Sequence, residues 1–436
     1  MNSLLGWTLS ATTAAVAIPA TATMVWLTTQ LAAAVQPRRP RRNTDRQPSL
    51  VVAIPAHNEE MVIAQTLRSL REQHYPADRF RVVVIADNCD DRTAEIAREV
   101  GALVLERSDL VARGKGFALA WGFERILSST EPVAGFVPDA CVIVDADTWV
   151  DPNCLAELAS HMPEDPGALA AVQGRYGVLN PDSGWRAALM TAAFELCNHV
   201  RLLGTDRIGG SVGLKGNGMI FSRGVLERVP WNGSSVTEDI DYGLDLLLRE
   251  GVRVGYAPEA VVRAQMPVTA AQGESQRARW EGGRYRLMAR RVPLLLGAAL
   301  RRRDCRMLWS ACDLATLPLA EVVASLCVWA ALSTGAWWVL PKSAALASTF
   351  ACGTVAAALI VYVLWGLRVA GAGADTYKAL LRVPTYVLWK LAVYVRGRLS
   401  GGRKAGAPPG ADAEWVRTER IALDDDLGNR PAGGAR

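Results

Sequence analysis

Three stretches of this chain are long enough and apolar enough to cross a bilayer, and they fence in everything else. Residues 1–36 carry no charged side chain, and the arginines begin at Arg38. Residues 322–340 and 344–367 are likewise uncharged. About twenty apolar residues suffice for one crossing, so each run predicts a span, with Pro19 marking a kink or an end in the first. The last two form a hairpin about a tight turn at Pro341-Lys342-Ser343. A cleaved export signal carries its positive charge ahead of the apolar core, whereas Arg38, Arg39, Arg41, Arg42 and Arg46 follow it. Net charge is only +5, and the second basic cluster (Arg284, Arg286, Arg290, Arg291, Arg301, Arg302, Arg303 and Arg306) also abuts an apolar run. Both clusters predict juxtamembrane charge on the cytoplasmic side, not nucleic-acid binding.

The middle of the chain has a different period. Leu50 to Ile54, Arg81 to Ala86, Ala102 to Leu105 and Cys141 to Val144 are short β-branched, apolar runs separated by helix-period segments, which predicts βαβ units and a doubly wound, mostly parallel sheet. Further on, a helix spans Pro152 to His161, a strand lies around Ala170 to Gln173, and a helix-period stretch runs from Gly184 to Leu203. A glycine-dense loop, 209–218, feeds a strand at Met219 to Ser222. Thr237 reads as the N-cap of a helix that reaches about Glu250. The eight cysteines show no metal-type spacing and read as buried thiols in a reducing compartment.

Acids sit where such a sheet binds ligands. Val142 to Val144 runs straight into Asp145-Ala146-Asp147, and Asp87 ends another strand; in open α/β sheets the carboxyl edge is the ligand edge. Two carboxylates on one turn form a hard oxygen site for Mg²⁺ or Mn²⁺, although Asp is also common in plain turns. Lys115, between glycines, reaches the same pocket as a point charge or is an ordinary loop lysine. No GxxxxGK[ST] is present, and no GxGxxG follows the first strand, which argues against P-loop and dehydrogenase chemistry. Gln276, Arg279 and Trp280 share one helical face. His57 and His199 read as structural.

Taken together, Pro55-Ala56-His57-Asn58-Glu59-Glu60, Asp87, Asp145-Ala146-Asp147, Thr237-Glu238-Asp239 and Gln276-x-x-Arg279-Trp280 resemble, in order, the membrane-bound family 2 glycosyltransferases. These are the cellulose, chitin, hyaluronan and poly-N-acetylglucosamine synthases and related lipid-directed enzymes. The likeness covers about residues 49–300. It implies a GT-A type fold and an inverting, metal-dependent transfer from a nucleotide sugar, of the UDP type, in polysaccharide synthesis. It further implies Asp87 on the base, Asn58 and Glu59 beside the ribose, and Lys115 and Arg279 toward the diphosphate. Asp147 would ligate Mg²⁺ or Mn²⁺ with Asp145 alongside. Asp239 would be the general base, kept ionised by an exposed helix N-terminus, with Glu238, Gln276 and Trp280 facing the acceptor. The glycine loop near Gly216-Asn217-Gly218 matches the family's acceptor-facing loop only loosely.

The expected organisation is an anchor at 1–36, a basic linker at 37–48 and a cytoplasmic catalytic domain at 49–300. A membrane hairpin follows within 301–371, then an amphipathic interface helix at 376–398 and a disordered tail at 399–436. The expected location is the bacterial inner membrane. Expected partners are the nucleotide sugar, a glycan or lipid acceptor, membrane lipid, and a second copy or an export component. Single-sugar transfer to a lipid is the alternative activity. A catalytically silent scaffold is the remote one, against which intact Asp145, Asp147 and Asp239 speak.

Overall fold

The computed structural model describes residues 2–37, 47–130, 132–233, 237–266 and 270–387, without the side chains of 2–5 and 270–282. The arginine cluster at 38–46, the distal part of the expected interface helix, the tail, and the side chains of Gln276, Arg279 and Trp280 lie outside those residues.

Strands β1 (Leu50–Ala56), β2 (Phe80–Asp87), β3 (Leu103–Arg107) and β4 (Ala140–Ile143) pair in parallel. The chain then adds β5 (Thr148–Val150), β6 (Ala171–Val178), β7 (Met219–Ser222) and β8 (Val254–Ala264). The sheet order is β3-β2-β1-β4-β7-β6-β8-β5, with β7 antiparallel to both β4 and β6, β8 parallel to β6, and β5 antiparallel to β8. The sheet is therefore mixed, with parallel pairings in the majority. Alternation along β1 shows why it is central. Val51 and Ala53 join a core with Leu119, Phe123, Phe221 and Trp231, while Leu50, Val52 and Ile54 join another with Ile63, Leu67, Leu155 and Leu158. A strand buried on both faces needs this unbroken apolar run.

Strand β8 escapes sequence reading because Pro258 lies inside it. The structure tolerates the proline through a register shift: Gly174 pairs with Ala257 and Arg175 with Val261, so residues 258–260 bulge from the ladder. Bulges are where a strand admits proline. Strand β5, three residues long, is also missed. The predicted helix over 184–203 is broken in register: an α-helix at Trp185–Phe194 passes into a π-helical turn at Glu195–Val200 and then a helix at Arg201–Arg207.

The helices Asn2–Ala34, Leu319–Val339 and Lys342–Val369 are long and apolar enough to cross a membrane. The first runs through Pro19 without ending there. They pack on one another and, through Leu196 and Val200 of the π turn, on the sheet domain. The second basic cluster is not purely juxtamembrane charge. Arg290 and Arg291 lie on the helix Ala270–Arg302 and pair with Asp241 at 2.7 Å and 2.6 Å, and Arg291 also reaches Asp245 at 2.8 Å, fastening that helix to the helix Glu238–Glu250. All eight cysteines are free, but only Cys141, Cys154 and Cys352 are buried; Cys305 and Cys327 are exposed.

Candidate active site

Strand order brings the two acidic strand ends to one edge, since β2 and β4 flank β1. Asp87 closes β2, is 1% exposed, and accepts from Arg107 Nη1 at 2.6 Å. Its other oxygen, Oδ2, is buried with no hydrogen-bond partner among the described residues. A buried carboxylate oxygen held beside an arginine and left without a donor is open to one from a bound molecule or from water. The adjoining loop is tightly shaped. Asn58 and Asn88 both take left-handed backbone (φ 55° and 51°). Asn58 Oδ1 accepts from the Asp90 amide at 2.9 Å, and Asn88 Oδ1 from the Asp109 amide at 2.8 Å. Glu59 is buried, its amide donating to Thr93 Oγ1 at 2.8 Å. His57 Nδ1 lies 2.8 Å from the Asp87 carbonyl, a structural role.

The turn that carries Asp145 and Asp147 is clamped from two sides. Thr66 Oγ1 donates to Ala146 O at 2.7 Å and accepts from the Thr148 amide at 3.1 Å. Asn217 Oδ1 accepts from the Asp145 amide at 3.2 Å while its Nδ2 donates to Thr148 Oγ1 at 2.8 Å. Gln173, fully buried on β6, secures the other end of that loop: it donates to Asn217 O at 2.8 Å and accepts from the Lys215 amide at 2.8 Å. Asp147 is half-buried on the turn.

Lys115 draws the distant parts together. Its Nζ donates to Asp145 Oδ1 and, at 2.6 Å, to Gly216 O. Gly216 has φ +79°, and a Cβ there would stand 3.2 Å from Asp239 Oδ2. The loop therefore threads closely between Lys115 and Asp239, in a backbone conformation that favours glycine. Burial lowers the lysine's proton affinity, but Asp145, Glu238 and Asp239 outweigh it, and the net shift is upward.

Thr237 precedes the helix Glu238–Glu250, but its hydroxyl does not cap it. Nor is the helix start exposed. Glu238 and Asp239 are half-buried. Burial, then the neighbouring Asp239, raises Glu238 to about 7. Burial also raises Asp239, against the pull of the Ile240 amide, Lys115 and Lys215. The expectation of a solvent-exposed, freely ionised Asp239 is thus corrected: these acids are crowded, and their charge depends on the two lysines. Gln276, Arg279 and Trp280 fall on the helix Ala270–Arg302, so their spacing is helical.

Sequence reasoning missed Arg107, Thr66, Gln173 and Lys215, and it named Asn217 only as part of the glycine-rich loop, not as the clamp on the Asp145 turn. A charged residue ending β3 was the one signal for Arg107. Thr66 and Gln173 act through the fold and leave no motif.

The carboxylate oxygens of Asp145 and Asp147 on one turn suit a hard divalent ion. Among the described residues no third acid, histidine or cysteine joins Asp145 and Asp147, so the remaining positions of such an ion would fall to substrate oxygens and water.

Comparison with known proteins identifies the family of the sheet domain. The profile described as "Glycosyltransferase like family 2" matches residues 48–283, more than half of the chain. A probable glycosyltransferase of Bacillus subtilis, YdaM, is 26% identical over 250 residues, covering 56% of this chain and 57% of that protein. A beta-monoglucosyldiacylglycerol synthase of Trichormus variabilis is 29% identical over 245 residues, covering 55% and 49%. The chain thus spans about half the length of the curated relatives it matches. Among solved structures, the mannosyltransferase PcManGT from Pyrobaculum calidifontis aligns with TM-score 0.47 at 19% identity, covering 83% of this chain and 99% of that one.

Proposed function

This chain belongs to glycosyltransferase family 2, and from that membership we propose that it transfers one sugar, with inversion, from a nucleotide sugar to an acceptor presented at the membrane surface. The observation that carries the reading is the contact of Lys115 with both Asp145 and the loop lying against Asp239. That contact supports a donor end and a base sharing one pocket.

On this reading Asp87 receives the base edge of the nucleotide through Oδ2, the oxygen left without a donor, and Asn58 and Glu59 bound the ribose. Asp147, with Asp145, would hold Mg²⁺ or Mn²⁺; bound there, the ion neutralises charge on the leaving diphosphate. Asp239 accepts the proton of the acceptor hydroxyl. The new bond forms between that oxygen and the anomeric carbon as the bond to the diphosphate breaks, and the diphosphate leaves as an anion. Lys115 and Lys215 draw Asp239 toward its ionised form, against the burial that raises it. Glu238, Gln276 and Trp280 face the acceptor, and Arg279 the diphosphate.

Two acceptor classes compete, a growing glycan and a membrane lipid. The lipid is favoured by how the pocket is mounted. The π turn at Glu195–Val200, which belongs to the sheet domain, packs directly on helices long and apolar enough to span a bilayer, and a lipid acceptor requires no polymer channel. We place the catalytic domain on the cytoplasmic face, with the organisation set out above.

Membranes containing the full chain, given radiolabelled UDP-glucose or UDP-N-acetylglucosamine with Mg²⁺ or Mn²⁺, should yield a single labelled lipid. A long polymer would support the glycan reading. Asp239→Asn should lower turnover by about 10²- to 10⁴-fold, the usual worth of a general base, and EDTA should abolish it. Equal labelling by the variant would remove Asp239 as the base.

A further inference from the structure

Where two of the apolar helices end against the sheet domain, the chain leaves an open cavity of about 380 Å³, within the range of roughly 300–1,000 Å³ usual for ligand sites. Its walls come from the end of the helix Asn2–Ala34, from the π turn with the helix Arg201–Arg207, and from the last turn of the helix Lys342–Val369. None of the residues assigned above to donor, metal or base lines it. The lining holds Arg207, Arg368 and His199, and no acid among the described residues. The acids carried by the wall-forming elements, Glu195 and Asp206, are engaged with Arg175 at 2.5 Å and Arg253 at 3.0 Å.

The two arginines differ in what holds them. Arg207 Nη1 donates to the carbonyls of Ala33 (3.4 Å), Ala34 and Gln36, closing the end of the first helix. Arg368 has no such task. Backbone amides already cap its helix, Ala370 donating to Gly366 O at 2.9 Å and Gly371 to Arg368 O at 3.1 Å. Its side chain is exposed and makes no hydrogen bond or ion pair among the described residues. Beside these cations lie Trp365 and Val35, 54% and 51% exposed. A small free anion gains nothing from that apolar surface. A lipid does, because its phosphate meets the guanidinium groups while its chains continue along the apolar helices. Arginine pairs with phosphate through parallel hydrogen bonds, Trp settles at headgroup level, and basic pockets between membrane helices take anionic headgroups. A zwitterionic headgroup would bring an ammonium toward two guanidinium groups.

We propose that this cavity binds the phosphate of an anionic phospholipid, held as a fixed part of the enzyme and not as its acceptor. The lipid ties the helix Arg201–Arg207 of the sheet domain to the two apolar helices. The site rests on the proposed spanning of those helices, which alkaline carbonate tests separately: release of the chain from membranes without detergent would overturn the spans. For the site itself, the full chain in neutral detergent would be titrated with phosphatidylglycerol, phosphatidylcholine of the same chains, glycerol 3-phosphate, and UDP with Mn²⁺. Phosphatidylglycerol should bind at least about tenfold more tightly than phosphatidylcholine or glycerol 3-phosphate. Arg368→Gln should remove that preference and Arg368→Lys should keep most of it. Arg301→Gln, at an exposed arginine outside the cavity, should leave it unchanged. UDP affinity should stay within about twofold in all three variants, which also reports that they are folded. Equal binding of the two phospholipids would overturn the proposal, as would an equal loss in Arg301→Gln, which would make the attraction one of diffuse charge. A parallel loss of UDP affinity in Arg368→Gln would assign the cavity to the donor instead. Glycerol 3-phosphate binding as tightly as phosphatidylglycerol would overturn the lipid as the source of the phosphate.

Discussion

At the level of single residues, the proposed chemistry predicts that Glu238 sets the acid limit of the reaction. With Glu238 near 7 and Asp239 also raised, the pair must lose a proton before Asp239 can accept one. Turnover should therefore rise with pH through neutrality and level off above it. Glu238→Gln removes the repelling charge, so Asp239 ionises at lower pH, and the acid limb of kcat/KM should move down by about one pH unit. An unmoved limb would show that another group controls it. Thr66 offers a second test. Its hydroxyl bridges Ala146 and Thr148 at full burial, and Thr66→Val keeps the shape while leaving buried backbone groups unpaired. The expected loss of stability is about 1–3 kcal/mol, read by thermal melting, with a weaker response of activity to added Mg²⁺ or Mn²⁺.

At the level of elements, legibility tracks how local the cause is. The four parallel strands, the acids that end them and the three apolar helices are written in runs of neighbouring residues, so period and composition suffice to find them. Strand β8 is not, because its proline is accommodated by a bulge that only the pairing with β6 reveals. The π turn at Glu195–Val200 has no local signature either. The acidic motifs were legible, whereas their surroundings were not: Asp239 at a helix start reads as exposed until the loop from Lys215 to Gly218 is laid over it. Elements also meet where no pattern announces it. Gly204, on the helix Arg201–Arg207, lies so close to the helix Asn2–Ala34 that a Cβ would stand 2.1 Å from Gln30 O. Small residues permit such backbone approach between helices. Gly204→Ala should destabilise the docking of the two helices by about 1–3 kcal/mol, seen as a lower melting temperature in detergent; no change would show that the helices separate without cost.

For the whole molecule, the proposed topology has a simple chemical readout. Cys305 is exposed just after the helix Ala270–Arg302, on the catalytic side of the apolar hairpin. A membrane-impermeant maleimide should modify it in inside-out vesicles and not in intact cells, with the site identified by peptide mass spectrometry. Labelling from outside would invert the topology and place donor binding where nucleotide sugars are scarce.

The Gly204 contact carries a mechanical implication for the assembled enzyme. Backbone lies against backbone there, about one helical turn from the end of the helix Asn2–Ala34, so there is no compliant side chain to absorb a shift. With the helix Asn2–Ala34 spanning a bilayer, as proposed, the sheet domain could neither rise nor sink without breaking that seat. The proposed pocket would then act as a fixed-height gauge, and an acceptor would qualify by how far its hydroxyl stands above the hydrocarbon as well as by what it is. A hydroxyl carried a few ångströms too high or too low would pass the same residues unreacted.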